Sequence, residues 1–375
     1  MVRWTLASCL LISASAFAHA HSNELLYKLK AEKDSWGIQK LVISDKSDLN
    51  SVRKLMLATG KYQFVVPNSY ETLPSGEERT DVSNQWHHET IQSVDAWSVM
   101  SFTKSVTVAV CDSGVQSDHE DLEGQLLPGR NLVDDVNDNS TTTSHGTFVA
   151  GLIAAKADSV GVAGVSPGVK ILPLRISDAN GGTSMELILK CIKYAADAGA
   201  RVINVSFTGV ENAGVQAAGE YANDKGALLV YAAGNKGYYR SALRYPDYRN
   251  VMVVGATSSD DTRWKWYIDA KNRGGSNYGP FIDLMAPGHQ LYSTTIYTPE
   301  ERYRVGSGTS YAAPIVSGVA ALLFSINPRF TPQQVERMIT QSADKMGNSK
   351  FYGAGRVNAL KAVERAAKLL NYVER

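Results

Sequence analysis

The sequence has few cysteines and no excess of charge of either sign. Only Cys9, Cys111 and Cys191 occur among its 375 residues. Three cysteines exclude a disulfide-rich scaffold, which needs several pairs to compensate for a small core. Lys and Arg number 38 against 37 Asp and Glu, and no basic cluster interrupts this balance. We therefore expect no nucleic-acid partner.

Long apolar segments are absent beyond the amino terminus. Residues 1–20 contain Arg3, an apolar run and the small-residue site at 18–20, which predicts a signal peptide and a secreted protein, extracellular or periplasmic. Residues 6–9 also resemble a lipoprotein site, but few apolar residues precede Cys9. No later run is long enough to cross a bilayer, so we expect no stable membrane span.

The two remaining cysteines lie in predicted regular structure. Cys111 ends a predicted buried strand, and Cys191 lies on a predicted helix over residues 185–198. Two cysteines form no disulfide framework, so we expect buried free thiols. The sequence leaves open whether they pair.

A serine preceded by glycines lies at the start of an apolar segment. Gly306 and Gly308 precede Ser310, and residues 311–326 predict a buried helix that ends at Asn327. Free backbone N–H groups and the helix dipole favour negative charge on the first turn of a helix. A serine there becomes a nucleophile only if a base accepts its proton.

A carboxylate and a histidine precede this serine. Asp112 follows a β-branched run, residues 106–111, and so lies at the carboxyl end of a predicted strand, where open α/β folds bind ligands. His145 precedes a predicted helix over residues 148–155. Each could by itself be a cap or turn residue, but the order Asp112, His145, Ser310 predicts a catalytic triad.

The surrounding segments carry a family resemblance. They are residues 108–115, 119–122, 145–151, 161–167, 202–206, 232–235, 285–288 and 355–359. In this order they resemble the subtilases, the subtilisin-like serine peptidases, over residues 84–365. The resemblance implies an α/β fold with a doubly wound, mostly parallel sheet and helices on both faces. Alternating predicted strands and helices independently favour this fold class.

The resemblance also implies a mechanism without a cofactor. Ser310 would attack the peptide carbonyl, His145 would act as the base, and Asp112 would orient it. Asn235 would join the Ser310 N–H in the oxyanion hole, unless it is only a turn residue. Phe148 replaces a second histidine found in many members, and we expect altered packing but unchanged chemistry. A catalytically silent binding protein and an esterase are the alternatives.

The region before the peptidase domain resembles a subtilase propeptide. Strands are predicted over residues 25–29, 41–43 and 62–66, with an amphipathic helix over 48–58. We assign residues 21–80 to a short α+β propeptide, with a processing linker over 75–81, and residues 81–375 to the peptidase domain. A permanent accessory domain is the alternative. The expected partners are protein or peptide substrates and this propeptide, and we expect a monomer.

The resemblance implies a structural Ca²⁺ site, since oxygen ligands suit this cation. The implied ligands are side-chain oxygens of Asp121 and Asp158 and carbonyl oxygens of Lys156, Val160 and Val162. Asp158 could instead cap an exposed loop.

Three further features concern the substrate or the surface around the cleft. The segment Ser206, Phe207, Thr208 and Gly209 matches the one that pairs with extended substrates in the family, which implies broad specificity. Arg244 would lie either at the floor of the P1 pocket, favouring acidic or polar side chains there, or on the surface. Residues 264–267, Trp-Lys-Trp-Tyr, lie in an insertion that could shape the leaving-group side of the cleft, form an interaction patch, or pack on itself.

Overall fold

The computed structural model describes residues 24–30, 38–43, 49–67, 70–72, 85–99, 105–138, 140–141, 143–158, 160–241, 248–267, 273–296 and 301–373. The signal peptide, the processing linker and Arg244 lie outside the described residues.

The chain alternates strands and helices through its larger part. The strands are β1 (Glu24–Leu29), β2 (Ile38–Val42), β3 (Tyr62–Pro67), β4 (Tyr70–Thr72), β5 (Thr107–Asp112), β6 (Arg130–Asn131), β7 (Lys170–Arg175), β8 (Gly182–Ser184), β9 (Val202–Val205), β10 (Leu228–Ala232), β11 (Val251–Thr257), β12 (Lys265–Tyr267), β13 (Arg273–Gly275), β14 (Leu284–Pro287), β15 (Leu291–Thr294) and β16 (Tyr303–Gly306). The helices are α1 (Leu49–Ala58), α2 (Trp86–Ile91), α3 (Ser93–Val99), α4 (His145–Ala154), α5 (Met185–Asp197), α6 (Ala213–Asp224), α7 (Thr309–Ile326), α8 (Pro332–Ser342), α9 (Ser349–Tyr352) and α10 (Ala359–Val373).

A seven-stranded sheet forms the centre of the larger part. Its order is β14-β11-β10-β9-β5-β7-β6, and every neighbouring pair is parallel. Since side chains alternate along a strand, Val108 and Val110 of β5 face one apolar cluster while Ala109 and Cys111 face another. Helices α4, α7, α8 and α10 cover the first face, and α5 and α6 cover the second. The predicted α/β fold, with helices on both faces, is confirmed.

The amino-terminal residues form a separate small sheet. Strand β1 pairs antiparallel with β2 and with β3, and α1 follows β2, so the predicted three strands and helix are all present. Leu26 of β1 belongs to the apolar cluster beneath α5 and α6, and Lys40 Nζ donates to Glu186 of α5 at 2.7 Å. This unit therefore packs on the helices that cover the second face.

A disulfide joins this covered face to the sheet. Cys111, the residue before Asp112 on β5, is bonded to Cys191 of α5, with the two Cα atoms 6.0 Å apart. The expectation of free thiols was wrong. The two residues are 80 positions apart, and only the packing of α5 on β5 brings them within bonding reach.

Helix α7 runs through the core. Among the described residues it alone is long and apolar enough to cross a bilayer, but 94% of this stretch is buried inside the protein. The sequence predicted an apolar helical run over residues 311–326 with Ser310 on its first turn; the helix begins at Thr309, with Gly308 at the N-cap position.

Candidate active site

Asp112 and His145 meet at the carboxyl edge of the sheet. Asp112 is the last residue of β5 and His145 the first of α4. His145 Nδ1 lies 2.9 Å from Asp112 Oδ1 and 3.0 Å from Oδ2. Asp112 Oδ1 also accepts the N–H of Ser113 at 2.8 Å. Both side chains are buried, so the carboxylate fixes the ring and leaves Nε2 as its free atom.

The glycine after His145 makes this contact possible. A Cβ on Gly146 would stand 2.1 Å from the carbonyl oxygen of Gly114 and 3.2 Å from Asp112 Oδ1. Any larger residue would push α4 away from β5. The Gly146 N–H is also bonded, to Ser113 Oγ at 3.0 Å.

Ser310 lies at the start of the buried helix α7, as predicted. It is the second residue of that helix, so its N–H has no intrahelical acceptor. Its side chain is buried, and Ser310 Oγ has no hydrogen-bond partner.

Asn235 follows β10, and its side chain is bonded to the first turn of α7. Its Oδ1 accepts the N–H of Thr309 at 2.9 Å and the Thr309 hydroxyl at 2.7 Å. Because Oδ1 is occupied, the amide Nδ2 is the free end, and it is buried without a partner. A Cβ on Gly308 would stand 2.9 Å from Ser310 Oγ and 3.3 Å from Asn235 Nδ2. Gly308 thus keeps open the space between the Ser310 hydroxyl and the Asn235 amide.

Three of the buried polar side-chain atoms that lack a partner at this edge belong to the predicted site residues. They are His145 Nε2, Ser310 Oγ and Asn235 Nδ2. Buried polar groups are normally bonded within the protein, and each exception calls for a reason. A base, a nucleophile and an oxyanion donor would each need such a free atom, so these three exceptions are consistent with the roles predicted for the residues.

The polar side chains beneath this space are bonded to one another. Ser206 Oγ donates to the carbonyl oxygen of Ser310 at 2.8 Å and accepts from Asn204 Nδ2 at 2.9 Å. Ser317 Oγ donates to Asn204 Oδ1 at 2.9 Å. The sequence predicted no such support for the nucleophile. Thr309 was also missed, although its position between Gly308 and Ser310 was a signal in the sequence.

The predicted substrate segment follows β9. Gly209 has a φ of +98°, and the Thr208 carbonyl accepts the Tyr231 hydroxyl at 2.9 Å. Phe207 is buried in the apolar cluster beneath α5 and α6, so only its backbone is available for pairing. Elsewhere, β4 pairs antiparallel with β8, with Tyr70 opposite Ser184.

Four of the implied calcium residues lie in the loop after α4, and the fifth, Asp121, is hydrogen-bonded to that loop. Asp121 is buried; its Oδ2 accepts the Val162 N–H at 2.8 Å, while Oδ1 has no partner. Burial raises the pKa of Asp121, an effect that neighbouring Asp158 increases. Asp158 itself is exposed, with Lys156 Nζ 3.4 Å from its Oδ2. No group of three or more His, Cys, Asp or Glu side chains with metal-binding geometry occurs within the described ranges.

Phe148 and the aromatic insertion both have packing roles. The Phe148 ring lies 4.2 Å from that of Tyr311, whose ring is 5.2 Å from His145. Trp264 is buried in the core, whereas Trp266 is half-buried and Tyr267 is 69% exposed. The insertion therefore packs partly on the body of the protein and partly faces solvent.

Comparison with known proteins identifies the family. The model of the subtilase family matches residues 103–355. Thermitase from Thermoactinomyces vulgaris is 38% identical over 286 residues, covering 75% of this chain and 96% of thermitase. A thermophilic serine proteinase from Bacillus sp. (strain AK1) is 37% identical over 276 residues, covering 72% of this chain and 64% of that protein. Subtilisin DY from Bacillus licheniformis is 34% identical over 268 residues, covering 70% and 91%. The chain therefore belongs to the subtilase family and is a subtilisin-type serine endopeptidase.

Proposed function

We propose that this chain is a secreted serine endopeptidase of broad specificity, made as an autoprocessed pre-pro-enzyme. Asp112, His145 and Ser310 form its triad, and Asn235 belongs to its oxyanion hole. The observation that carries this proposal is the cluster of three buried, unpartnered atoms around one space, His145 Nε2, Ser310 Oγ and Asn235 Nδ2.

The chemistry follows from what each free atom can do. Ser310 Oγ attacks the peptide carbonyl carbon while His145 Nε2 accepts its proton, and Asp112 stabilises the resulting imidazolium. Asn235 Nδ2 and the Ser310 N–H donate to the oxyanion. His145 then gives the proton to the leaving amine, the C–N bond breaks, and water hydrolyses the acyl-serine by the same steps.

Backbone pairing supports broad specificity. The segment Ser206, Phe207, Thr208 and Gly209 would bind the acyl side of an extended substrate through its main chain, which gives affinity with little dependence on side chains. Arg244 lies outside the described residues, and its place in the P1 pocket stays a prediction.

The small amino-terminal sheet acts in this proposal as the propeptide. The nearby strand β4 pairs antiparallel with β8, much as an extended substrate would add a strand to an exposed edge. This pairing supports a prosegment that stays bound to the peptidase domain until it is cut away.

The loop after α4 fits a structural Ca²⁺. The buried Oδ1 of Asp121 has no partner, which supports an ion bound at this carboxylate. Asp158 and the carbonyls of Lys156, Val160 and Val162 would complete the site. When bound, the ion supplies positive charge that links the loop to Asp121 and takes no part in catalysis.

Intact-mass spectrometry before and after a fluorophosphonate probe tests the proposal. We expect a secreted protein that lacks residues 1–80 and carries one adduct, mapped to Ser310. Ser310→Ala should retain the prosegment and take no label, whereas Ser325→Ala, a buried serine at the other end of α7, should behave as wild type. Mature-length wild-type protein without an adduct would contradict the assignment, and self-processing by purified Ser310→Ala would exclude autocatalysis at that residue.

A further inference from the structure

The inserted hairpin β12–β13 is attached directly to the backbone of Asn235. The Gly275 N–H of β13 donates to the Asn235 carbonyl at 2.9 Å, and the Gly237 N–H donates to the Gly275 carbonyl at 2.7 Å. These two main-chain bonds, one made by the N–H of Gly275 and one by its carbonyl, hold the hairpin beside the backbone of Asn235.

The hairpin has one packed face and one open face. Trp266 lies on the packed face, where it contacts the core cluster, and a Cβ on Gly274 would stand 2.6 Å from its ring. Lys265 and Tyr267 alternate with Trp266 and so lie on the other face. Arg273 is directly opposite Tyr267, and Lys265 is opposite Gly275. The side chains of Lys265, Tyr267 and Arg273 are all exposed.

A further lysine extends this open face toward Asn235. Lys236 pairs with Gly275 from the side opposite Lys265, and it too is exposed. Gly275, which pairs with both lysines, has no side chain of its own on this face. We call Lys236, Lys265, Arg273 and Tyr267 the cationic face.

The charges of this face are not neutralised within the described part of the chain. Lys236, Lys265 and Arg273 form no ion pair there. The acidic residues that precede β12 are engaged elsewhere: Asp261 pairs with Arg356, and Asp260 accepts from the Thr262 N–H at 3.1 Å and hydroxyl at 2.7 Å. With a net charge of only +1 on the whole chain, three cations without an ion pair among the described residues are a local concentration of positive charge.

Sheet order places the cationic face across Asn235 from the acyl side of the cleft. Strands β9 and β11 flank β10 on opposite sides. The substrate segment 206–209 follows β9, Asn235 follows β10, and the hairpin follows β11. A polypeptide that pairs with residues 206–209 and crosses Ser310 therefore leaves the cleft toward the hairpin.

We propose that the cationic face binds acidic side chains of the substrate on the leaving-group side of the scissile bond. The inference rests on the proposed endopeptidase function and names the substrate class that it favours: polypeptides with Asp or Glu shortly after the cleaved bond. Charge attraction near the surface gives modest energies per pair and speeds encounter, and salt weakens it.

Three peptides that differ only after the scissile bond test this. Their second and third residues on the leaving-group side are two Glu, two Gln or two Lys, and mature wild-type enzyme is assayed for kcat/KM at low salt. We expect Glu to be preferred over Lys by roughly tenfold, with Gln between them. In about 0.5 M NaCl the ratio should fall close to one.

Charge reversal assigns the effect to this face. The double variant Lys265→Glu with Arg273→Glu should invert the Glu-to-Lys ratio. The matched control is Arg329→Glu, an exposed arginine without an ion pair in the described chain, beyond the far end of α7. That helix is about 27 Å long by its 18 residues, so the control should keep the wild-type ratio.

The outcomes separate this inference from the proposed function. No cleavage of any peptide by wild type would overturn the endopeptidase proposal itself. Cleavage of the Gln peptide with a Glu-to-Lys ratio near one at low salt would overturn only the cationic-face inference. A strong wild-type ratio that the double variant leaves unchanged would also overturn it, since another surface would then select the charge.

Discussion

Two serines on helix α7 are both buried but differ in what surrounds their hydroxyl groups. Ser317 donates to Asn204 Oδ1 at 2.9 Å, and Asn204 in turn donates to Ser206, which donates to the Ser310 carbonyl. Ser310 Oγ, seven residues earlier on the same helix, has no partner. A satisfied hydroxyl stabilises the fold, whereas an unsatisfied one is a cost that a bound ligand can offset.

The same contrast occurs at two histidines of α2. Both His88 ring nitrogens are engaged, Nδ1 with Ser93 Oγ at 2.6 Å and Nε2 with the Ala163 carbonyl at 2.9 Å. His87 is fully buried and neither of its ring nitrogens has a partner. His87 is not among the residues of the proposed mechanism, so we expect its free atoms to affect only stability.

Replacing each of these two serines of α7 by alanine should give the largest difference in activity. Ser310→Ala should lower kcat by about 10⁶-fold, the loss measured when the nucleophile of subtilisin is removed, with little change in the free energy of unfolding. Ser317→Ala should keep most activity but lose about 1–2 kcal/mol of stability, because Asn204 Oδ1 loses its donor. Peptide hydrolysis and urea unfolding measure the two effects. Equal losses of activity in both variants would break the comparison.

Removing the free amide of Asn235 should give the second-largest loss of activity. Asn235→Ala should lower kcat by roughly 10² to 10³-fold with a small change in KM, again the magnitude known for subtilisin, because the oxyanion forms only during reaction. Steady-state kinetics on one peptide substrate separate kcat from KM. Thr309→Val serves as the comparison variant: it removes the hydroxyl bonded to Asn235 Oδ1 but leaves Nδ2 in place, so its loss should be smaller. A change confined to KM in Asn235→Ala would argue against an oxyanion role.

Calcium should stabilise the folded protein by binding at the unpartnered oxygen of Asp121. In the inactive Ser310→Ala background, saturating Ca²⁺ at about 100 times its Kd should raise the free energy of unfolding by about 2.7 kcal/mol. Asp121→Asn should abolish this response, whereas Asp118→Asn, an exposed neighbour, should retain it. Thermal unfolding with and without chelator measures the effect, and a full calcium response in Asp121→Asn would place the ion elsewhere.

Replacing His87 should give the smallest effect, a change in how the free energy of unfolding depends on pH. Burial lowers its pKa well below the usual value, so the folded state stays neutral while the unfolded state binds a proton below about pH 6.5. Stability should therefore fall with decreasing pH below that value, by at most about 1.4 kcal/mol per pH unit for this group.

His87→Leu should remove this part of the slope, measured by urea unfolding at about pH 7.5 and about pH 5.0 in the Ser310→Ala background. Burial also lowers the pKa of His88, which its bond to Ala163 opposes, so some slope should remain. An unchanged slope in His87→Leu would mean that its nitrogens find partners in solution.

Local patterns in the sequence determined most of the fold and part of the site. Alternating β-branched and apolar runs predicted β5 and a helix after His145, and glycines indicated the start of α7. These features depend on neighbours only a few positions away, through backbone preferences and side-chain periodicity. The order Asp112, His145, Ser310 within recognisable segments was sufficient to name the family.

Only the tertiary structure decided which buried groups are bonded and which are free. Cys111 and Cys191 are 80 residues apart, Asn204 and Ser317 are 113 apart, and Asn235 and Thr309 are 74 apart. Sheet order and helix packing bring each pair together, and no local pattern encodes those distances. For the same reason, the sequence could propose Asn235 as an oxyanion donor, but only Thr309 bound to its Oδ1 determines that the amide nitrogen faces the cleft.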